Sequence, residues 1–339
     1  MLGAGRLALF SANPVAGGGG GAVSGGYSYF VGGYNTSANY TRKYDLTGAG
    51  ATTNAGALPQ ARFVAGGFGN GSSGFLCGGY NGGVKNTVYE LDFSSDTSWS
   101  TQNTLPNSQR NQRGTSSSTI GYSWGGYRDG GGNATHAVNY QYTYSAGTWA
   151  TGTNLSIANG ASNYANSWSA LHGNGSDAIH MGGGVDSGYG TQYTTQNLYE
   201  FSSDTQTFSN TVDRNHLLCG ATGNQTEMVI VSGQGYTNVG GGTGSSSLKT
   251  WILTYNITSG AVVSSGTITG SSFSHADAAG DDSVGIWAGS SQSQSPSAYE
   301  CAYTYSTDTY SLLSAYNSNY QVQSTRTESL TAFHSLQVS

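Results

Sequence analysis

Charge and proline are scarce in this 339-residue sequence, which holds 11 Lys+Arg, 17 Asp+Glu and 4 Pro, so that about 8% of it is charged and the net charge is −6. So few cations, with no cluster larger than Arg42-Lys43 or the Arg110/Arg113 pair, cannot neutralise a run of phosphates, and nucleic-acid binding without sequence preference is excluded. Scarce proline, with glycine lacking a three-residue period, excludes collagen. A long helical bundle is excluded too, because helix surfaces normally carry Glu, Lys and Arg at i,i+4 spacing and whole stretches here hold almost none. Long apolar runs are missing: Leu7-Ala8-Leu9-Phe10 is cut by Ser11, Asn13 and Pro14, well short of the roughly 20 residues that span a bilayer, and it makes a poor secretory signal. Cysteine is limited to Cys77, Cys219 and Cys301, far apart and without a CxxC, which suits neither a disulfide framework nor a zinc site; buried thiols are expected.

What is abundant is glycine, with 54 residues, and aromatic surface, with 24 Tyr, 10 Phe and 6 Trp. That much burial capacity excludes a disordered chain and leaves an all-β protein rich in tight turns.

Internal repetition is the strongest signal. A short apolar run ending in paired small residues appears as Tyr29-Phe30-Val31-Gly32-Gly33-Tyr34, Phe75-Leu76-Cys77-Gly78-Gly79-Tyr80, Tyr122-Ser123-Trp124-Gly125-Gly126-Tyr127 and Ile179-His180-Met181-Gly182-Gly183. The pair becomes Ser232-Gly233 and Ala288-Gly289 in two later copies, and the steps between copies are about 46, 47, 57, 50 and 56 residues. Each copy continues with an alternating strand built on Tyr, such as Val88-Tyr89-Glu90-Leu91 or Leu198-Tyr199-Glu200-Phe201, as expected of half-buried antiparallel strands. A turn follows, spelled identically as Phe93-Ser94-Ser95-Asp96 and Phe201-Ser202-Ser203-Asp204. An aromatic then opens a last strand at Trp99, Trp149, Phe208 and Tyr310, and Leu58-Pro59 and Leu105-Pro106 lead toward Arg62 and Arg110, which read as equivalent starts of the next unit.

This order of apolar run, double glycine, spaced Tyr, spaced Trp, Leu-Pro and Arg resembles the kelch repeat, whose family fold is a β-propeller with four antiparallel strands per blade. The resemblance covers roughly residues 27–335. It implies an all-β, six-bladed kelch-like propeller, with residues 1–22 a flexible N-terminal arm and 23–339 a single propeller domain. The first copy lacks a strand before Tyr29, and the segment around Ala332-Phe333-His334 is expected to supply it from the C-terminus, closing the ring. The double glycines are placed at the ends of inner strands near the axis, where backbones crowd, and the repeated Tyr and Trp are expected to fill the space between blades.

Some kelch-like propellers are copper oxidases, which use two Tyr and two His with a Cys joined to one Tyr. Here His136, His172, His180, His216, His275 and His334 are scattered with no His-x-His, and no metal site or cofactor is expected. Asp129, Asp177, Asp186 and Asp281-Asp282 could pair for glycoside hydrolysis but read better as turn formers. Gly121-Tyr122-Ser123-Trp124-Gly125 spells Gly-x-Ser-x-Gly inside a repeated apolar run with no helix after it, so a nucleophile elbow is not expected. Binding is favoured over catalysis, on the variable loops after the double glycines, which carry Tyr34, Tyr80, Tyr127, Arg128, Asp129, Tyr189 and Tyr236.

By composition the chain resembles bacteriophage tail and fibre proteins. That resemblance implies a non-enzymatic virion structural protein, a homo-oligomer among other virion proteins, with host receptor binding or recognition of a host surface glycan on its rim and no membrane span. The alternative is a secreted carbohydrate-binding or carbohydrate-active propeller.

Overall fold

In the computed structural model, residues 27–32, 39, 41–46, 52–128, 137–154, 169–183, 195–209, 219–231, 234–235, 247–248, 250–268, 274–280, 282–290, 298–313 and 331–334 are described. The expected arm, residues 1–22, lies outside them.

Apolar-polar alternation of period two turns each repeat into antiparallel strands. The longer strands assemble into six four-stranded sheets, a β-propeller arrangement. Five sheets are each built from one stretch of chain. The sheet Gly66–Asn70, Ser73–Cys77, Val88–Asp92 and Trp99–Gln102 is typical. The next begins with Arg113–Ser116, and the later ones with Ala170–Gly173, Gly220–Gly223 and Ser274–Gly280. The remaining sheet is composite: Tyr27–Val31, Thr41–Asp45 and Thr52–Asn54 are completed by Thr331–His334, which pairs with Tyr27–Val31 so that Tyr29 faces Phe333 and Val31 faces Thr331.

No strand pairing joins one of these sheets to another among the described residues, so there is no closed sheet. Contact runs instead through side chains and inner strands. Thr331–His334 touches Gly66–Asn70, which touches Arg113–Ser116, and so on through Ala170–Gly173, Gly220–Gly223 and Ser274–Gly280 back to Thr331–His334. Each neighbouring pair of sheets shares a buried apolar cluster: Tyr29, Leu76 and Leu91 join the composite sheet to the second, Phe68, Phe75 and Tyr142 the second to the third, and Phe30, Tyr44 and Ile286 the last to the composite one.

The twin turns show how neighbours are clasped. Phe93 stacks on Tyr29 of the preceding sheet at 4.9 Å, and Phe201 stacks on Tyr122 at 4.5 Å. Asp96 and Asp204 take up left-handed backbone at φ 56° and 51°, which aims their carboxylates at the neighbouring sheet. Asp96 accepts from the Tyr29 hydroxyl and the Lys43 ammonium; Asp204 accepts from the Tyr199 hydroxyl and, at 2.9 Å, from Gln141 Nε2 of the preceding sheet. Trp99 and Trp149 repeat the theme, donating from Nε1 to the Gly56 and Asn103 carbonyls at 2.9 Å each.

The double glycines follow the second strand of a sheet, beside the innermost one, which is the strand that comes after the Leu-Pro segment. They are needed there for conformation: Gly78 and Gly79 have φ of 64° and 88°, Gly125 and Gly126 68° and 96°, and a Cβ on Gly126 would stand 2.6 Å from the Arg110 carbonyl oxygen. One expectation needs correction, the matching of Arg62 with Arg110. Arg62 Nη1 donates to the Gly78 carbonyl at 2.9 Å, and the residue that makes the matching bond one sheet later is Gln109, from Nε2 to the Gly125 carbonyl at 2.7 Å. Arg110 is therefore the counterpart of Phe63, not of Arg62.

Candidate functional site: an aromatic and guanidinium ladder on the rim

The axis is plugged. Arg113, at the start of its inner strand, points across the ring: Nε donates to the Ser169 carbonyl at 2.7 Å, Nη2 to the Cys219 carbonyl at 3.0 Å, and Nη1 lies 3.2 Å from Asp277 Oδ1. One guanidinium thus ties together four sheets. The cavity beside it is small, about 30 Å³, and is lined in part by Gln112, Leu171, Ala221 and Asp277. The rim is the wider surface.

On the rim, the segment after each Leu-Pro runs beside the residue that follows the double glycine. Phe63 and Tyr80 are backbone partners, as are Arg110 and Tyr127. Val64 and Asn111, the next residues, bend away at φ 53° and 60°, so both segments leave the rim in the same manner. Partners in register share a face, and their side chains meet: Phe63 packs on Tyr80 with centroids 5.2 Å apart and ring planes tilted by 54°, and the Arg110 guanidinium lies 4.5 Å from the Tyr127 centroid. Arg110 also lies 5.2 Å from the Tyr80 centroid. The result is a continuous ladder, Phe63–Tyr80–Arg110–Tyr127, that crosses from one sheet to the next.

Lys85 and Arg128 flank it. The Gln109 amide donates to the Lys85 carbonyl at 2.9 Å, and Gln109 is the register partner of Arg128, so both cations spring from backbone next to the Gln109-Arg110 segment. Arg128 is exposed, while Tyr80, Lys85, Arg110 and Tyr127 are half-buried.

Of the residues expected to bind, Tyr80, Tyr127 and Arg128 are brought to this one corner. Tyr34, Asp129, Tyr189 and Tyr236 lie outside the described residues. Arg110 was the missing member, overlooked because Arg62 and Arg110 were matched by type. Counting from the Leu-Pro pairs would have exposed the slip, since Arg62 lies four residues after Leu58 and the residue four after Leu105 is Gln109.

The groups that could do chemistry are held elsewhere. Ser169 Oγ and His180 Nε2 share a hydrogen bond of 2.8 Å, the contact a nucleophile and base would make. Both are wholly buried, however, and His180 Nδ1 has no hydrogen-bond partner among the described residues to orient it. Burial, with the nearby charge of Arg113 second, pushes the His180 pKa down to about 3. Ser123 of the Gly-x-Ser-x-Gly sequence is buried within the strand Ile120–Trp124 and not on a strand-to-helix turn. The thiols of Cys77, Cys219 and Cys301 are free and buried, and burial raises them to about 11, 12 and 12. Among the described residues, no group of three or more His, Cys, Asp and Glu is placed to hold a metal ion, and no helix is long and apolar enough to cross a membrane.

No family model matches the chain, and no curated protein matches it. Among solved structures, that of YjhT is similar, with a TM-score of 0.66 at 13% identity over 89% of this chain and 98% of that one. At that identity the likeness shows a shared β-propeller fold and nothing of activity.

Proposed function

We propose that this chain is a non-enzymatic structural component of a bacteriophage virion, a six-bladed kelch-type ring carried on the capsid or tail whose rim recognises the host surface. The rim ladder carries this reading. Phe63, Tyr80, Arg110 and Tyr127 offer aromatic faces and a guanidinium at the junction of two sheets, while the groups with shifted proton affinity that catalysis would use, such as His180 and the three thiols, are locked in packing. Aromatic faces with adjacent cations bind partners without altering them. The sparse charge and the interlocked sheets, clasped by Asp96 and Asp204, suit a particle component that must resist unfolding outside the cell.

Mass spectrometry of purified particles from a host carrying this gene tests the reading. The chain should be found in stoichiometric amount with capsid or tail proteins, and its recovery only from culture supernatant free of particles would overturn it. The ladder also favours a second reading, a secreted carbohydrate-binding propeller, since Tyr faces suit sugar rings. Supernatant recovery together with reproducible glycan-array binding that Tyr80→Ala and Tyr127→Ala abolish would select it.

A further inference from the structure

We infer that Asn81, beside the tip of a rim hairpin, is a site of spontaneous modification, at which the carboxamide is replaced by the carboxylate of aspartate or isoaspartate. The inference goes beyond the rim reading above and does not depend on it.

The reaction needs an asparagine whose carboxamide carbon is free to turn toward the next backbone nitrogen, and a next residue that leaves that nitrogen open to water. Glycine in the second place meets the latter need best, having no side chain to crowd the ring that forms. Four Asn-Gly pairs occur in the sequence, Asn70-Gly71, Asn81-Gly82, Asn159-Gly160 and Asn174-Gly175. Asn159 lies outside the described residues.

Two of the other three are tied down. Asn70 Oδ1 accepts from the Ser72 and Ser73 amides at 3.1 and 2.9 Å and from the Ser72 hydroxyl at 3.2 Å. Asn174 Oδ1 accepts from the Ser176 and Asp177 amides at 3.0 and 2.8 Å, and its Nδ2 donates to the Gln225 carbonyl of the next sheet at 2.7 Å. Each carboxamide closes its own turn, and these bonds must break before it can rotate.

Asn81 has no such duty. Tyr80 and Val84 are backbone partners, the Asn81 amide donates to the Gly83 carbonyl at 3.0 Å, and the Lys85 amide donates to the Gly79 carbonyl at 2.8 Å. The main chain alone therefore closes this tight hairpin, with Gly82 at its tip. Neither the Asn81 carboxamide nor the Gly82 amide enters a hydrogen bond among the described residues. Gly82 is exposed, and a Cβ built on it meets nothing within 4 Å, so water reaches its nitrogen.

The Gly82 nitrogen attacks Asn81 Cγ and gives its proton to water; the Cγ–Nδ2 bond breaks and ammonia leaves. Water then opens the succinimide, at the side-chain carbonyl to give aspartate or at the main-chain carbonyl to give isoaspartate. The sum is one water consumed and one ammonia released, with no change of oxidation state. Residues 81, 83 and 85 alternate with 80 and 84 in this hairpin, which puts the new carboxylate on the face that carries Lys85. The rim beside Tyr80 thus passes from a neutral amide to an acid as the protein ages.

The test incubates the full-length folded chain at pH 8 and 37 °C, with a parallel sample in guanidinium chloride, and maps peptic peptides by mass spectrometry. In the folded chain Asn81 should convert about tenfold or more faster than Asn70 and Asn174, the factor that two or three hydrogen bonds impose. In denaturant the three rates should converge, because each is an Asn-Gly pair. Enzymatic methylation should report isoaspartate as well as aspartate at residue 81, since the succinimide opens at both carbonyls, and conversion should quicken as pH rises. Conversion of Asn81 no faster than that of Asn70 or Asn174 in the folded chain, the same ranking kept in denaturant, or aspartate without isoaspartate would each overturn the inference. Particle proteomics reports on the virion reading separately, so the failure of one leaves the other distinguishable.

Discussion

Replacing Arg113 by Met removes the axial plug at nearly constant volume, and the structure sets the size of the effect. Three contacts are lost, to the Ser169 and Cys219 carbonyls and to Asp277, and the Asp277 side chain, 13% exposed, loses its guanidinium partner. Removing one partner from a buried pair typically costs about 3–5 kcal/mol. For a 339-residue chain an unfolding entropy near 2.1 cal/mol/K per residue amounts to roughly 0.7 kcal/mol/K, so the melting temperature should fall by about 4–7 °C. The double variant Arg113→Met/Asp277→Leu should recover part of the loss, because it removes the carboxylate that Arg113 had neutralised. Urea titration followed by tryptophan fluorescence, run on the parent, both single variants and the double, gives the complete cycle. A cost below about 1 kcal/mol for Arg113→Met, or no recovery in the double variant, would refute the claim that one guanidinium couples four sheets.

Three further outcomes follow from particular residues. His180 is held neutral in the folded chain with its pKa near 3, below the ordinary value of 6.5, so unfolding takes up a proton between those limits. Its contribution is complete above pH 6.5 and declines as pH falls toward 3, by about 1.4 kcal/mol per pH unit, and stability measured from pH 7 to 4.5 should fall more steeply in the parent than in His180→Asn; parallel slopes would contradict it. Gly126→Ala places a Cβ 2.6 Å from the Arg110 carbonyl oxygen at φ 96°, whereas Gly82→Ala, at φ 64°, meets nothing within 4 Å. Chemical denaturation should show the first costing about 2 kcal/mol more than the second, and equal costs would remove crowding from the explanation. Asp204→Ala removes the acceptor of the Tyr199 hydroxyl and one of two acceptors of Gln141 Nε2, which keeps its 3.2 Å contact with that hydroxyl, and should cost about 1–3 kcal/mol, with faster hydrogen exchange at the Thr153 amide, which donates to the same carboxylate. Protection of Thr153 unchanged from the parent would show that the turn does not clasp its neighbour.

Much of the fold was legible because the information is periodic and local. Strand alternation, positive-φ glycines and a four-strand unit of about fifty residues are each written within a single copy of the repeat, and Phe93-Ser94-Ser95-Asp96 with Phe201-Ser202-Ser203-Asp204 announced two equivalent turns before any contact was known. The pairing of Thr331–His334 with Tyr27–Val31 was legible by a different route, from the strand missing at the first copy. The matching of residues after each Leu-Pro pair was not, because Arg62 and Arg110 share a residue type while Gln109 makes the bond that corresponds to that of Arg62.

The axial plug shows what kind of signal is lost when copies are read for likeness alone. Counted from the strand pairings, Arg113 faces Trp124 as Gly66 faces Cys77, Ala170 faces Met181 and Gly220 faces Val231. Three copies thus put a small residue where the third sheet puts its largest cation. The glycines answer to crowding of their own: a Cβ on Gly66 would stand 2.7 Å from Gln112 Cγ, and one on Gly220 2.7 Å from the Asp277 backbone. Arg110 against Phe63 is the same kind of departure on the rim, with the difference that there the equivalent position is already filled by a ring of similar size. Arg113 joins four sheets through three polar contacts, whereas Arg110 stands where a ring suffices one unit earlier, so Arg110→Phe should spare the fold and Arg113→Met should not.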